Sequence, residues 1–91
     1  MRTFDILAHW LRENPPQTPV LYSHLKRRAF ETFGWPPSNR TLPIVLRELE
    51  YLRHINAFGT WYYRPGDTFP TKKEQADIYF NYPYPPTSPR T

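Results

Sequence analysis

Apolar residues recur at helical spacing in three successive segments of the chain. Phe4, Leu7, Ala8 and Leu11 line one stripe, which predicts a first helix over residues 3–13 with Thr3 as its cap. Asn14-Pro15-Pro16 ends it, because consecutive prolines lack N–H donors and disfavour a preceding helical residue. Ile6 and Trp10 lie off that stripe and need a second cover. Thr18-Pro19 is expected to open a second helix, with Thr18 capping and Pro19 in the first helical position. Leu21, Leu25, Ala29 and Thr32 form its buried stripe beside Tyr22 and Phe33, and Gly34 closes it in the left-handed conformation. Arg27 points away from that stripe, with Lys26 and Arg28 on its flanks.

After the stiff Trp35-Pro36-Pro37 connection, a third helix is predicted to start between Ser38 and Thr41. Pro43 sets that boundary, since proline is tolerated in the first helical turn and costs about 3 kcal/mol in the interior. Leu42, Val45, Leu46, Leu49 and Leu52 make its core face. Its opposite face carries Arg40, Ile44, Arg47 and Tyr51, with Pro43 and His54 at the margin. The period then changes. Ile55 begins a short strand, Ala57-Phe58-Gly59 supplies a turn, and Thr60-Trp61-Tyr62-Tyr63 is a β-prone return strand closed by Pro65-Gly66-Asp67. Alternation turns Trp61 and Tyr63 one way and Tyr62 the other.

The order of three helices and a hairpin resembles a winged helix-turn-helix DNA-binding domain. The resemblance rests on residues 38–64. There Thr41-Leu42-Pro43-Ile44-Val45-Leu46-Arg47-Glu48-Leu49 fits the family's Thr-Val-x-x-x-Leu-x-x-Leu pattern, and Ile55 to Tyr63 fit the wing. It implies a mainly α fold with a small β-hairpin: three helices plus a wing over residues 1–66, then a C-terminal aromatic and proline-rich extension over 67–91. It also implies that the third helix enters the DNA major groove. By match to the family, Asn39, Arg40, Thr41, Pro43, Ile44 and Arg47 stand where base and phosphate contacts arise. Arg40 or Arg47 would grip guanine, Asn39 would pair with adenine, and Thr41 with the helix N-terminus would hold a phosphate. Lys26, Arg27 and Arg28 would contact the backbone, and Arg64 would bring the wing to the duplex.

Composition adds three constraints. The 91 residues suit one small domain, and the absence of cysteine rules out disulfides and thiolate metal sites. No apolar run approaches the roughly 20 residues that a membrane crossing needs. The start Met1-Arg2-Thr3-Phe4-Asp5 has no secretory h-region, so a cytoplasmic location is expected, or a nuclear one in a eukaryote. The net charge of +4 is uneven: residues 1–64 hold nine Lys/Arg against five Asp/Glu, whereas residues 65–91 hold three of each. A basic surplus confined to the helices and wing suits a polyanionic partner.

Catalysis is not expected. His9, His24 and His54 sit on separate elements without metal-ligand spacing, Ser23 and His24 are adjacent and do not face one another, and Gly34, Gly59 and Gly66 make no phosphate loop. No cofactor, catalytic residue or metal site is assigned. Trp61, Tyr62 and Tyr63 fit sheet packing better than stacking on unpaired bases.

Half of the twelve prolines lie beyond residue 64. A short helix is expected around Lys72–Ala76, and residues 87–91 read as disordered from their composition. The aromatic run from Ile78 to Tyr84 is expected to cover Ile6 and Trp10 in the same chain, to act as a dimer arm, or to be displayed to a partner. Ile6, Trp10, Tyr79, Phe80 and Tyr82 are thus the candidate dimer or partner interface.

Two readings of function remain. The first is a sequence-specific double-stranded DNA-binding protein, a small transcription or replication regulator acting as a homodimer because one short module makes few contacts. The alternative is a protein-binding winged-helix module, such as a small inhibitor or adaptor of the kind a phage encodes. Pro43, Ile44 and Tyr51 on the outward helix face favour it, since apolar and aromatic anchors carry interface energy. A structural subunit of a nucleoprotein or viral assembly is a third option, behind these two.

Overall fold

The computed structural model describes residues 2–81, so Tyr82 and the rest of the proline-rich tail lie outside the described residues. Seven elements follow in order: α1 (Thr3–Glu13), β1 (Val20–Leu21), α2 (Tyr22–Phe33), α3 (Thr41–Glu48), β2 (Leu52–Asn56), β3 (Gly59–Tyr63) and α4 (Lys72–Phe80). The strands form one antiparallel sheet in the order β1-β3-β2, with Val20 opposite Tyr62, Leu21 opposite Trp61, and His54 opposite Trp61 on the other side. The domain is a small α/β unit with four helices and three strands among the described residues; the strand β1 is the addition to the three helices, hairpin and short C-terminal helix that were expected.

The helical stripes meet over one face of the sheet. Leu7, Leu11, Leu25, Ala29, Leu42, Val45 and Leu46 are buried together with Val20 and Tyr62. Trp10 belongs to the same core. Phe33 packs edge-on against its ring at 5.4 Å, and the Arg28 guanidinium lies over it at 5.2 Å. Among the described residues its second cover is therefore α2.

Trp61 faces the opposite side of the sheet and has no exposed surface. Phe69 meets it edge-on at 5.7 Å and also touches the rings of His54 and Tyr63. The Trp61 indole N–H donates to Asn56 Oδ1 (3.0 Å), Asn56 Nδ2 donates to Gln75 Oε1 (2.8 Å), and Gln75 Nε2 donates to the Pro70 carbonyl (2.8 Å). This chain of amides ties α4 to the hairpin. The helix itself starts on a capping box, with Thr71 Oγ1 accepting from the Glu74 N–H and Glu74 Oε1 accepting from the Thr71 N–H. It runs four residues past the predicted Ala76.

Several boundaries differ from expectation. Thr3 is already helical, and no side chain caps α1. Val20 and Leu21 pair with β3, which delays α2 to Tyr22; Thr18 does not cap it but donates its hydroxyl to Asp67 Oδ2 (2.7 Å). Thr32 is exposed and bonds back to the Arg28 carbonyl. α2 ends as predicted, with Gly34 at φ 82° and its N–H on the Phe30 carbonyl.

The largest difference is the length of α3. Glu50 adopts φ 70°, its N–H bonds to the Arg47 carbonyl, and the Tyr51 N–H bonds to the Leu46 carbonyl. That pair of bonds is a Schellman closure with glutamate in the position that glycine usually takes. It stops the helix at Glu48, turns Tyr51 into the core at 5% exposure, and hands Leu52 and His54 to β2, where both are exposed.

Candidate nucleic-acid interface

α3 is short but keeps its two-sided character. Leu42, Val45 and Leu46 are fully buried, while Arg40, Ile44 and Arg47 are exposed. Arg40 occupies the N-cap, Ile44 is four residues on, and Arg47 three more, so the three share one side of the helix. Neither arginine side chain forms a hydrogen bond or ion pair with a described residue. Ile44 is 46% exposed between them, and Pro43 is half-buried in the third helical position. Tyr51 leaves this face entirely.

The start of α3 is closed by Ser38. Its Oγ accepts from the backbone N–H of Thr41 (2.9 Å) and of Arg40 (3.3 Å), and its own hydroxyl donates to Thr41 Oγ1 (3.0 Å). The Leu42 N–H goes to the Ser38 carbonyl (3.2 Å), and Pro43 has no N–H. Every backbone donor of the first turn is thus used or missing. The expectation that the helix N-terminus holds a phosphate therefore has no backbone N–H to rest on, while the Thr41 hydroxyl, which accepts from Ser38, keeps its own O–H donor.

Asn39 lies at the corner between α2 and α3. Its Oδ1 accepts from the Tyr22 hydroxyl (3.0 Å) and from Lys26 Nζ. Tyr22 stacks obliquely on Tyr62 at 5.9 Å, and its hydroxyl pKa is pushed up to about 12, first by burial and then by the neighbouring Tyr62 phenol. It stays protonated and donates throughout the physiological range.

The remaining basic residues divide. Arg27 is exposed and reaches Glu31 one turn on at 3.6 Å, an exposed pair worth well under about 1 kcal/mol. Arg28 is taken up structurally: Nη2 donates to the Asn14 carbonyl (3.0 Å) while its plane covers Trp10, bracing the end of α1 against α2. Arg64 lies over the Tyr51 ring at 4.4 Å and donates to its hydroxyl (3.0 Å), which pins the end of β3 to the loop after α3. Arg28 and Arg64 therefore have structural duties that their position in the chain did not reveal. Arg53 and His54, exposed on β2, were not assigned a role from sequence.

Of the candidate interface residues, Trp10 is buried and Ile6 half-buried, and Tyr82 is outside the described residues. Tyr79 and Phe80 are exposed, at 43% and 75%, and pack on each other, with Phe58 of the hairpin turn against Tyr79. His24 of α2 is buried and shares a hydrogen bond with the Tyr79 backbone; burial, chiefly, holds its pKa below the usual value. An open cleft of about 590 Å³ runs along α4, lined by Thr18, Pro19, Phe69, Glu74, Asp77 and Ile78 among others. Its lining holds two carboxylates and no Lys or Arg, so it is electrostatically the reverse of the α3 face. Among the described residues no three His, Asp or Glu come together as a metal site, and no helix is long and apolar enough to cross a membrane. No family model matches the chain, and no curated protein or solved structure shows significant similarity to it.

Proposed function

We propose that this chain is a small winged helix-turn-helix protein that binds double-stranded DNA in a sequence-specific manner, as a regulator of transcription or replication, and does no chemistry on it. The observation that carries the reading is the outward side of α3, where Arg40 and Arg47 are exposed and unengaged by described residues. A planar guanidinium held this way can make two hydrogen bonds to guanine O6 and N7. The helix order, the hairpin that follows α3 directly, and the basic surplus confined to residues 1–64 all agree with it. A single module of this size makes few contacts, so two copies on a two-fold site are part of the proposal.

Salt titration of duplex binding tests this. Neutralising about four phosphates gives a slope near −4 in log K against log salt. Arg40→Ala/Arg47→Ala should abolish binding and leave the melting temperature unchanged, because neither side chain supports the fold. Failure of the wild-type protein to bind duplex at low salt overturns the reading.

A second reading, a protein-binding module, is favoured by Ile44 on α3 and by the exposed Tyr79-Phe80 pair at the end of α4. Ile44→Asp would abolish partner capture under that reading, whereas the double arginine variant would retain it.

A further inference from the structure

We propose that the Tyr22–Lys26–Asn39 corner is a phosphodiester clamp in which the Asn39 amide serves only as a donor. The inference rests on the DNA-binding reading above and names how that site holds the nucleic-acid backbone.

The orientation of the amide follows from its neighbours. A lysine ammonium can donate hydrogen bonds but cannot accept them. The Asn39 atom that meets Lys26 Nζ must therefore be the carbonyl oxygen. The same oxygen also accepts from the Tyr22 hydroxyl, so both of its lone pairs are occupied. What remains is the Nδ2 group, with two N–H donors that no described residue accepts. Asn39 itself is exposed, so these donors face solvent. Lys26 keeps two further N–H bonds and its positive charge at the same corner.

Two consequences separate this arrangement from the one expected from sequence. Adenine readout by asparagine needs the amide oxygen to accept from N6 while Nδ2 donates to N7. With its oxygen saturated, Asn39 cannot make that pair unless it first gives up Tyr22 or Lys26. Anion binding also cannot fall to the backbone of α3, where Ser38 has consumed the N–H groups of Arg40, Thr41 and Leu42 and Pro43 supplies none. The corner offers two side-chain amide donors and a cation, and among the described residues neither Asn39 nor Lys26 meets a carboxylate. Its chemistry matches a phosphate oxygen, so it sets the register of α3 on the duplex and carries no base preference.

Asn39→Asp is the informative variant. The carboxylate is isosteric and still accepts from Tyr22 and Lys26, so the fold and melting temperature should hold or rise, while the two outward donors become a negative charge. With a fluorescein-labelled duplex of mixed sequence at low salt, affinity should fall at least tenfold, equally for AT-rich and GC-rich duplexes. The salt slope should shrink by about one to two units. In the wild-type protein, the Asn39 side-chain NH₂ resonances should shift on adding the duplex. If the wild type binds while Asn39→Asp binds equally well and those resonances stay fixed, the clamp is overturned and the DNA reading survives. A fall confined to AT-rich duplexes assigns Asn39 to adenine and also overturns it. If the wild type does not bind duplex at low salt, both proposals fall.

Discussion

Replacing Asn56 with alanine should destabilise the domain far more than an exposed-strand position suggests. The Asn56 side chain accepts from the Phe58 N–H (2.9 Å) and from the Trp61 indole (3.0 Å), and donates to Gln75 Oε1 (2.8 Å). Trp61 has no exposed surface and Gln75 is 7% exposed, so alanine strands an indole N–H and an amide oxygen away from water. Each stranded buried group costs about 1–3 kcal/mol, whereas the half-buried turn N–H of Phe58 can find solvent. The expected loss is about 3 kcal/mol, which for a domain of this size lowers the melting temperature by about 12 to 24 °C. Thermal unfolding by circular dichroism measures it. Amide exchange should show α4 opening more readily than α1, because the Gln75 link holds α4 to the hairpin. Asn56→Asp keeps both acceptor bonds but sets a carboxylate oxygen against Gln75 Oε1, so it should break the link to α4 while leaving the Trp61 indole satisfied. A loss under about 1 kcal/mol for Asn56→Ala, or α4 amides as protected as in the wild type, would refute the view that this amide chain anchors the helix.

Two further outcomes are expected. Gly34→Ala should cost about 1–2 kcal/mol in urea unfolding; φ is 82° and an added Cβ meets nothing within 4 Å, so the whole effect is backbone strain, and a neutral result removes that explanation. Stability should fall with pH from two onsets, read as urea midpoints across a pH series. The folded His24 resists protonation, chiefly through burial, while the unfolded chain takes a proton near 6.5, so stability declines as pH drops below 6.5 and levels off once the folded histidine also protonates. His24→Gln should flatten that decline. Asp67 is held below its usual 3.8, first by the Arg64 backbone N–H and then by the Thr18 hydroxyl. Its contribution is present above 3.8 and disappears as pH falls through the lowered value.

How far the sequence went depended on whether the deciding contact was local. The stripe of α1, the glycine stop of α2 and the early position of Pro43 in α3 were all legible, because each is set by residues within a turn or two. β1 was not, since two residues become a strand only by pairing with Trp61 and Tyr62 some forty positions away. The end of α3 was missed because glutamate takes a left-handed position that glycine would have advertised. The capping box at Thr71 and Glu74 was readable and agrees with the expected start of the fourth helix at Lys72, whereas its four extra residues lie at the other end. Among the candidate contacts, exposure of Arg40 and Arg47 followed from helical spacing. The diversion of Arg28 onto Trp10 and of Arg64 onto Tyr51 is tertiary and left no mark in the local pattern.

If the DNA reading holds, the left-handed Glu50 also limits how much text one chain could read. Eight residues of α3 advance only about 12 Å along the helix axis. Base pairs are stacked about 3.4 Å apart, so an insertion of that length spans roughly three or four of them. Under the DNA reading, one chain would specify a word too short to be unique in any genome, and selectivity would have to come from the distance and orientation between two such words.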